Sequence, residues 1–205
     1  MTDETKLMNA SLMFQDLDDV RRDIATRLSR AVKDRKSPMH SPVISTSDAD
    51  GRVMVLRAFD LDGWTLRFHT DSRSPKCGLI KKKPDVGALF YDHKQKIQIR
   101  VRGKGRIEQD SLLANQAWKM STNFARRCYL GEGPGVFSDS PTSGLPRWAE
   151  GIQPSDEQIK PAKDNFAILL IDIVSIDWLY LANEGHLRAK FVRKDQAWTS
   201  FWVTP

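Results

Sequence analysis

Two hairpin signals, Asp50-Gly51 and Asp62-Gly63, constrain this chain more than any other feature of it. Each sits between runs rich in β-branched and aromatic residues: 42–48 (PVISTSD), 52–59 (RVMVLRAF) and 64–70 (WTLRFHT). Asp-Gly favours the tight turn whose twist matches that of paired antiparallel strands. Three strands joined in this way form a meander, so the chain starts on a mainly antiparallel β course.

The same period continues downstream. Strands are predicted at 86–92 (VGALFYD) and 96–108 (KIQIRVRGKGRIE), where Ile97, Ile99 and Val101 alternate with Gln98, Arg100 and Arg102. One face of that strand is apolar and the other strongly polar. Further strands are predicted at 166–181, 187–193 and 197–203. Helical spacing occurs earlier: Val20, Ile24, Leu28 and Val32 follow Leu17, with charges between them. This predicts an amphipathic helix over about 16–34, capped by Asp16 and ended before Ser37-Pro38. Ser74 as N-cap and Pro75 at the first helical position predict a short helix over 75–83, stopped by Pro84. Asp110 is expected to cap a helix over about 111–128. Residues 131–165 are rich in Gly, Pro and Ser and read as a long inserted loop. The expected architecture is a single domain over 1–205, mainly β with flanking helices, its short strands forming a closed or nearly closed barrel. No GxGxxG or GxxxxGK[ST] motif occurs, which argues against a Rossmann or P-loop nucleotide site.

Composition narrows the class. With 40% hydrophobic and 28% charged residues, the chain is expected to fold rather than stay disordered. No run approaches the roughly 18 to 20 apolar residues of a membrane span. The stretch 1–14 lacks the basic start and apolar core of a secretory signal, so a cytoplasmic location is expected. Cys77 and Cys128 show no CxxC spacing and are expected to be reduced. His40, His69, His93 and His186 are scattered, so no metal site is expected. The net charge of +6 permits anion binding without demanding nucleic acid, because Lys and Arg are spread along the whole chain.

Three constellations carry possible chemistry. In DSRSPKCGLIKKKPD (71–85), Arg73, Ser74 and Lys76 surround a helix start. Free N–H groups and the helix dipole make such an end an anion site, and a cation there opposes the dipole unless an anion binds. The alternative is a polar surface turn. Lys81, Lys82 and Lys83 sit at the opposite end, where cations suit the dipole, and read as a solvated face. Second, Arg52, Arg57, Gln98, Arg100 and Arg102 lie on strands; arginine suits bidentate phosphate binding or, equally, surface solubility. Five residues apart on a regular strand, Arg52 and Arg57 would face opposite ways. Third, DWLYLANEGHLRAKF (177–191) sets Trp178 and Tyr180 beside His186, Arg188 and Lys190. They read either as the lining of a planar anionic ligand or as a core edge with a charged rim. No serine–histidine–acid spacing or paired carboxylates point to a hydrolase.

Three blocks, GRVMVLRAFDLDGWTLRFHTDSRSPK, KKKPDVGALFYDHKQKIQIRVRGKGRIE and IDWLYLANEGHLRAKF, resemble in order and spacing the pyridoxamine 5′-phosphate oxidase-like FMN-binding family. The resemblance implies an FMN-binding split β-barrel, antiparallel and Greek-key-like, working as a homodimer with FMN at the subunit interface. It implies that Arg52 begins the strand that holds the FMN phosphate. Val53, Met54, Val55 and Leu56 then run along the flavin to Arg57, which approaches the substrate. His69 and Thr70 match a turn that hydrogen-bonds the cofactor. Ser74 and Lys76 match a phosphate-binding Ser-Arg-Lys motif, with Pro75 in place of its Arg and Arg73 as a candidate substitute. Gln98 matches a Gln near the ring, and Lys190 an Arg of the partner subunit. The substrate side departs: AWKMSTNFARRCYLGEGPG replaces the family's Tyr…Ser-Arg-Pro stretch, and His186 and Arg188 stand in swapped order. The implied function is a flavin-dependent oxidoreductase acting on an unidentified small molecule. The alternative is a flavin-binding module or sensor without turnover. A third reading, a basic barrel for single-stranded nucleic acid, rests on charge and six Trp residues alone; neither nucleic acid nor membrane is the expected partner.

Overall fold

The computed structural model describes residues 14–183 and 185–205. The N-terminal stretch read above as non-secretory lies, but for its last residue, outside them.

Helix α1 (Leu17–Lys33) forms where the spacing predicts it. The Asp16 carboxylate accepts the Asp19 N–H at 2.7 Å. Asp18 and Asp19 stand in the first turn and Arg30 and Lys33 in the last, each favoured by the dipole. Val20, Ile24, Leu28 and Ala31 are fully buried and lay the helix on the barrel beside β3.

The strands are β1 (Val43–Ser45), β2 (Gly51–Val53), β3 (Leu56–Asp60), β4 (Thr65–Asp71), β5 (Asp85–Asp92), β6 (Ile97–Glu108), β7 (Phe166–Tyr180), β8 (Leu187–Lys194) and β9 (Ala197–Val203). All pairings are antiparallel, in the order β2-β1-β5-β6-β7-β4-β3, with β8 and β9 branching from β7. The predicted strand 52–59 is thus two strands, which form the two edges of the sheet. The sheet curls until one chain segment, Gly51–Asp60, supplies both edges, and it is not closed by hydrogen bonds there.

The branch has a local cause. Residues 166–172 of β7 pair with β4, and residues 175–180 pair with β8. Against β6 the register shifts between Arg102 and Gly103, which leaves Val174 as the extra residue of a bulge. Gly103 is required at this point: a Cβ there would lie 2.6 Å from the Asp172 carbonyl oxygen. Gly105 allows a second close approach, because its Cβ would meet Ile80 at 3.0 Å. This lets helix α2 (Pro75–Lys82) seat Ile80 and Cys77 against the barrel.

Trp178, Phe68, Phe90 and Phe191 fill the main core. Phe166, Ile168 and Leu170 form a second, smaller core on the outer side of β7, under helix α3 (Leu112–Met120). This is why the start of β7 is apolar on both faces. The predicted helix 111–128 is corrected. Ser111, not Asp110, is the N-cap, accepting the Ala114 N–H, and the helix ends at Ser121. Thr122 then caps a separate turn, α4 (Asn123–Arg126). Arg126 folds back onto the Trp118 and Lys119 carbonyls, closing the end of α3. The loop 131–165 carries only short helical turns, among them α5 (Asp156–Ile159). No described helix is long and apolar enough to cross a membrane.

Candidate functional site

The break in the segment 51–60 leaves a stretch of sheet edge unpaired. Met54 and Val55 belong to neither edge strand, and β4 runs past its last partner on β3, Phe68 opposite Leu56. The β3-side backbone of His69–Asp71 therefore has no strand beside it. Arg52 stands at one end of the broken segment and Arg57 at the other, roughly 16 Å of extended chain apart. Arg57 is the bulged residue between Leu56 and Ala58, so the alternation expected of a regular strand does not govern its direction.

At the Arg52 end lies the start of α2. Ser74 is the N-cap as predicted, but its hydroxyl does not cap the helix; it accepts a 2.8 Å hydrogen bond from Lys76 Nζ. The backbone offers less than a helix start usually does. Pro75 has no N–H, Ser74 donates to the Asp71 carbonyl and Cys77 to the Ser74 carbonyl, which leaves the Lys76 N–H. An anion at this helix start would be met mainly by side chains. Burial lowers the Lys76 pKa; the neighbouring Arg52 adds to this, while Cys77, Asp71 and Asp50 oppose it. No carboxylate forms an ion pair with Lys76 among the described residues. Arg52 reaches Thr46 Oγ1 at 3.0 Å and pairs with Asp50.

At the Arg57 end lies His69. Its ring meets Phe166 edge-on at 5.0 Å, and Phe166 meets Tyr129 at 5.2 Å. His69 Nε2 is buried without a partner. Burial, then the charges of Arg57 and Arg67, depress its pKa to about 3, so the imidazole is neutral at pH 7. Tyr129 is pushed far up, first by burial, and its hydroxyl stays protonated. Among the described residues Arg57 has no ion-pair partner.

The remaining sequence-predicted residues fall elsewhere. The Thr70 side chain points inward, buried beside Cys77 Sγ at 3.8 Å, so only its backbone borders the unpaired edge. Arg73 does not stand in for the missing phosphate-binding Arg: its guanidinium grips Asp71 at 3.0 and 2.7 Å and donates to the Gly131 carbonyl at 2.9 Å. Gln98, Arg188 and Lys190 lie on the outer face of the sheet. There the register aligns Tyr91, Gln98, Leu179 and Arg188 in one row, and Val53, Val43, Leu89, Arg100, Asp177, Lys190 and Phe201 in another. Asp177 holds Arg188 through two bonds of 2.9 and 2.8 Å and Arg100 at 2.7 Å. Burial would raise its pKa, but these guanidiniums, Arg188 first, hold it below the ordinary carboxylate range. His186 is exposed just before β8. The chain thus presents the predicted residues as two groups, one along the broken edge and one on the outer face. Sequence reasoning missed Thr46, Arg67 and Tyr129; Tyr129 follows a predicted helix end and no spacing signals it.

Residues 23–109 match the family model described as pyridoxamine 5′-phosphate oxidase, FMN-binding domain. No curated protein matches the sequence. Among solved structures, the fold is similar to that of a pyridoxamine 5′-phosphate oxidase-related, FMN binding protein from Nostoc punctiforme PCC 73102. That match has 27% identity and a TM-score of 0.71, and covers 90% of this chain and 96% of that one. PhzG from Burkholderia lata 383, solved in complex with tetrahydrophenazine-1-carboxylic acid, shares the fold at 15% identity and a TM-score of 0.59, covering 91% and 90%. The architecture is that of the split-barrel FMN-binding proteins. In sequence and fold the chain resembles the pyridoxamine 5′-phosphate oxidase-related FMN-binding family, as its motif order implied.

Proposed function

We propose that the protein binds FMN in a cleft along residues 52–57 and acts as a flavin-dependent oxidoreductase on a small molecule. The observation that carries this reading is the pair of unsatisfied groups at the two ends of one broken strand. Lys76 is a desolvated ammonium with a hydroxyl as its hydrogen-bond partner, and His69 Nε2 is a buried polar atom with none. A ligand with a dianionic phosphate at one end and a polar ring at the other satisfies both.

In this reading Lys76, Ser74 and Arg52 hold the phosphate, with Asp50 and Thr46 keeping Arg52 in place. The backbone of Val53–Val55 and the free edge of His69–Thr70 offer hydrogen bonds to the ring. Bound flavin supplies hydride acceptance, chemistry that no side chain here supplies by itself. Arg57 remains unpaired at the far end to orient an anionic or polar substrate. His69, neutral at pH 7, offers a hydrogen bond rather than a charge. No residue is assigned as general acid or base.

The outer-face group joins this site only from a second subunit. Val43, Val53, Leu89, Tyr91, Val192 and Phe201 are exposed apolar residues on that face, and a homodimer would cover them while bringing Gln98, Arg188 and Lys190 to a partner's cleft. Light scattering should give twice the 23.4 kDa chain mass. Leu89→Asp, at the centre of the face, should shift the protein to monomer and weaken flavin binding with it. A wild-type monomer that retains flavin would contradict the shared-site arrangement.

A flavin-binding module without turnover is the second reading. One observation favours it: the arginines of the divergent stretch are tied to carbonyls, Arg126 on Trp118 and Lys119, and Arg127 on Ile152. They are not free to hold a substrate anion. Reduction of the bound flavin by an amine, alcohol or reduced nicotinamide would decide for turnover.

A further inference from the structure

We propose that the loop 131–145 is a cover over the anion end of the cleft, and that Arg73 is the positioning residue that holds it there. This rests on the flavin reading above.

Arg73, the candidate substitute for the motif's missing Arg, faces away from Lys76 toward Asp71 and the loop. Its Nε and Nη2 meet the two oxygens of Asp71 at 3.0 and 2.7 Å, and Nη2 also meets the Gly131 carbonyl at 2.9 Å. Asp71 is only 7% exposed while the Arg73 side chain is 34% exposed, so the pair anchors a buried carboxylate to a guanidinium at the surface and joins the root of α2 to the loop. The loop is closed on itself. The Glu132 N–H donates to the Gly144 carbonyl at 2.9 Å, and a Cβ on Gly131 would lie 2.6 Å from the same oxygen. From that neck the chain passes over the start of α2. A Cβ on Gly133 would lie 3.6 Å from Arg73 Cβ, and one on Gly135 would lie 4.0 Å from Pro75 Cγ. The next two residues, Val136 and Phe137, are 60% and 84% exposed.

Two apolar side chains presented to water near the start of α2, where the half-buried Lys76 has a hydroxyl as its partner, make sense if an anion bound at Lys76 lies under them. Such a cover excludes water from the charged contact and slows its loss. It sits at the start of α2, over Arg73 and Pro75. It therefore governs how long the cofactor stays rather than what is done at the ring.

The test measures FMN release after dilution from the full-length wild type, from Arg73→Ala, and from a variant lacking residues 132–143. The last joins Gly131 to Gly144, which already touch, and it keeps the Arg73–Asp71 pair in case loss of that pair unfolds the chain. Release should be about tenfold faster in both variants, an effect on the off-rate, with partial rescue in Arg73→Lys. Chymotryptic cleavage after Phe137 in the wild type should slow when FMN is added. Release rates within about twofold of wild type in both variants, or cleavage indifferent to FMN, would overturn the cover. A wild type that binds no FMN would instead remove the functional reading, and the cover's ligand with it.

Discussion

Lys76→Ala should weaken FMN binding by roughly 30- to 100-fold, the loss expected for a charge-assisted hydrogen bond to phosphate. The same substitution should leave the flavin-free protein as stable as wild type, or more so. The sign follows from the lowered pKa. Burial disfavours the Lys76 ammonium in the folded chain, so at neutral pH the charge detracts from stability unless an anion is present. Lys82, exposed in the last turn of α2, is the control; its replacement by Ala should change affinity by no more than about 0.5 kcal/mol. Titration by flavin fluorescence and thermal melts of the apo proteins read the two effects separately. Equal losses for Lys76→Ala and Lys82→Ala would mean that the basic cluster at 76–83 acts as one diffuse patch.

The second large effect concerns acid. His69 has a folded-state pKa near 3, set by burial first and by Arg57 and Arg67 next. The unfolded chain binds a proton at an ordinary histidine pKa of about 6.5. Between these values the unfolded state holds more protons than the folded one, so stability falls as pH falls from 6.5 toward 3 and is insensitive to this group above 6.5. His69→Gln removes the term. The unfolding free energy of the wild type from urea titration should therefore fall relative to that of the variant as the pH drops, by up to about 4 kcal/mol across the window. A constant difference between pH 7 and pH 4 would mean that His69 is solvated and protonates freely.

Much of the fold was legible because its signals are local. The period of two in 96–108 and Asp16 ahead of Val20, Ile24 and Leu28 each act within a few residues, and the chain obeys them; the hairpins signalled by Asp50-Gly51 and Asp62-Gly63 also form, but through the loops 46–50 and 61–64, with positive φ at Ala49 and Trp64 rather than at the glycines. What the sequence hid depends on contacts far apart in the chain. The strand 52–59 reads as continuous, yet β1 claims its first half and β4 its second, and Met54-Val55 is left between them. The apolar run 166–180 gives no hint that β7 exchanges β4 for β8 at Val174. The helix 111–128 kept its apolar residues but was cut by Ser121 and Thr122, which prefer capping to helix interiors.

The candidate site was legible in type more than in place. Ser74 and Lys76 do meet at a helix start, and Arg52 is an electrostatic neighbour of Lys76. The role of Arg73 stayed open in the sequence, because nothing there reveals that Asp71 and the Gly131 carbonyl absorb its guanidinium. His69 was chosen for its position in a turn, whereas the structure makes its ring, unpartnered beside Phe166, the notable feature. Gln98 was matched to a position near the ring, Arg188 to the substrate and Lys190 to a residue of the partner subunit; the register sets all three on the outer face of the sheet.

The central claim is that the cleft along residues 52–57 holds FMN, and its most direct test is the visible spectrum of the purified protein. After incubation with FMN and removal of free ligand, the protein should retain flavin with a shifted absorption band and quenched emission, and Lys76→Ala should lose it. A colourless wild-type protein after the same treatment would contradict it.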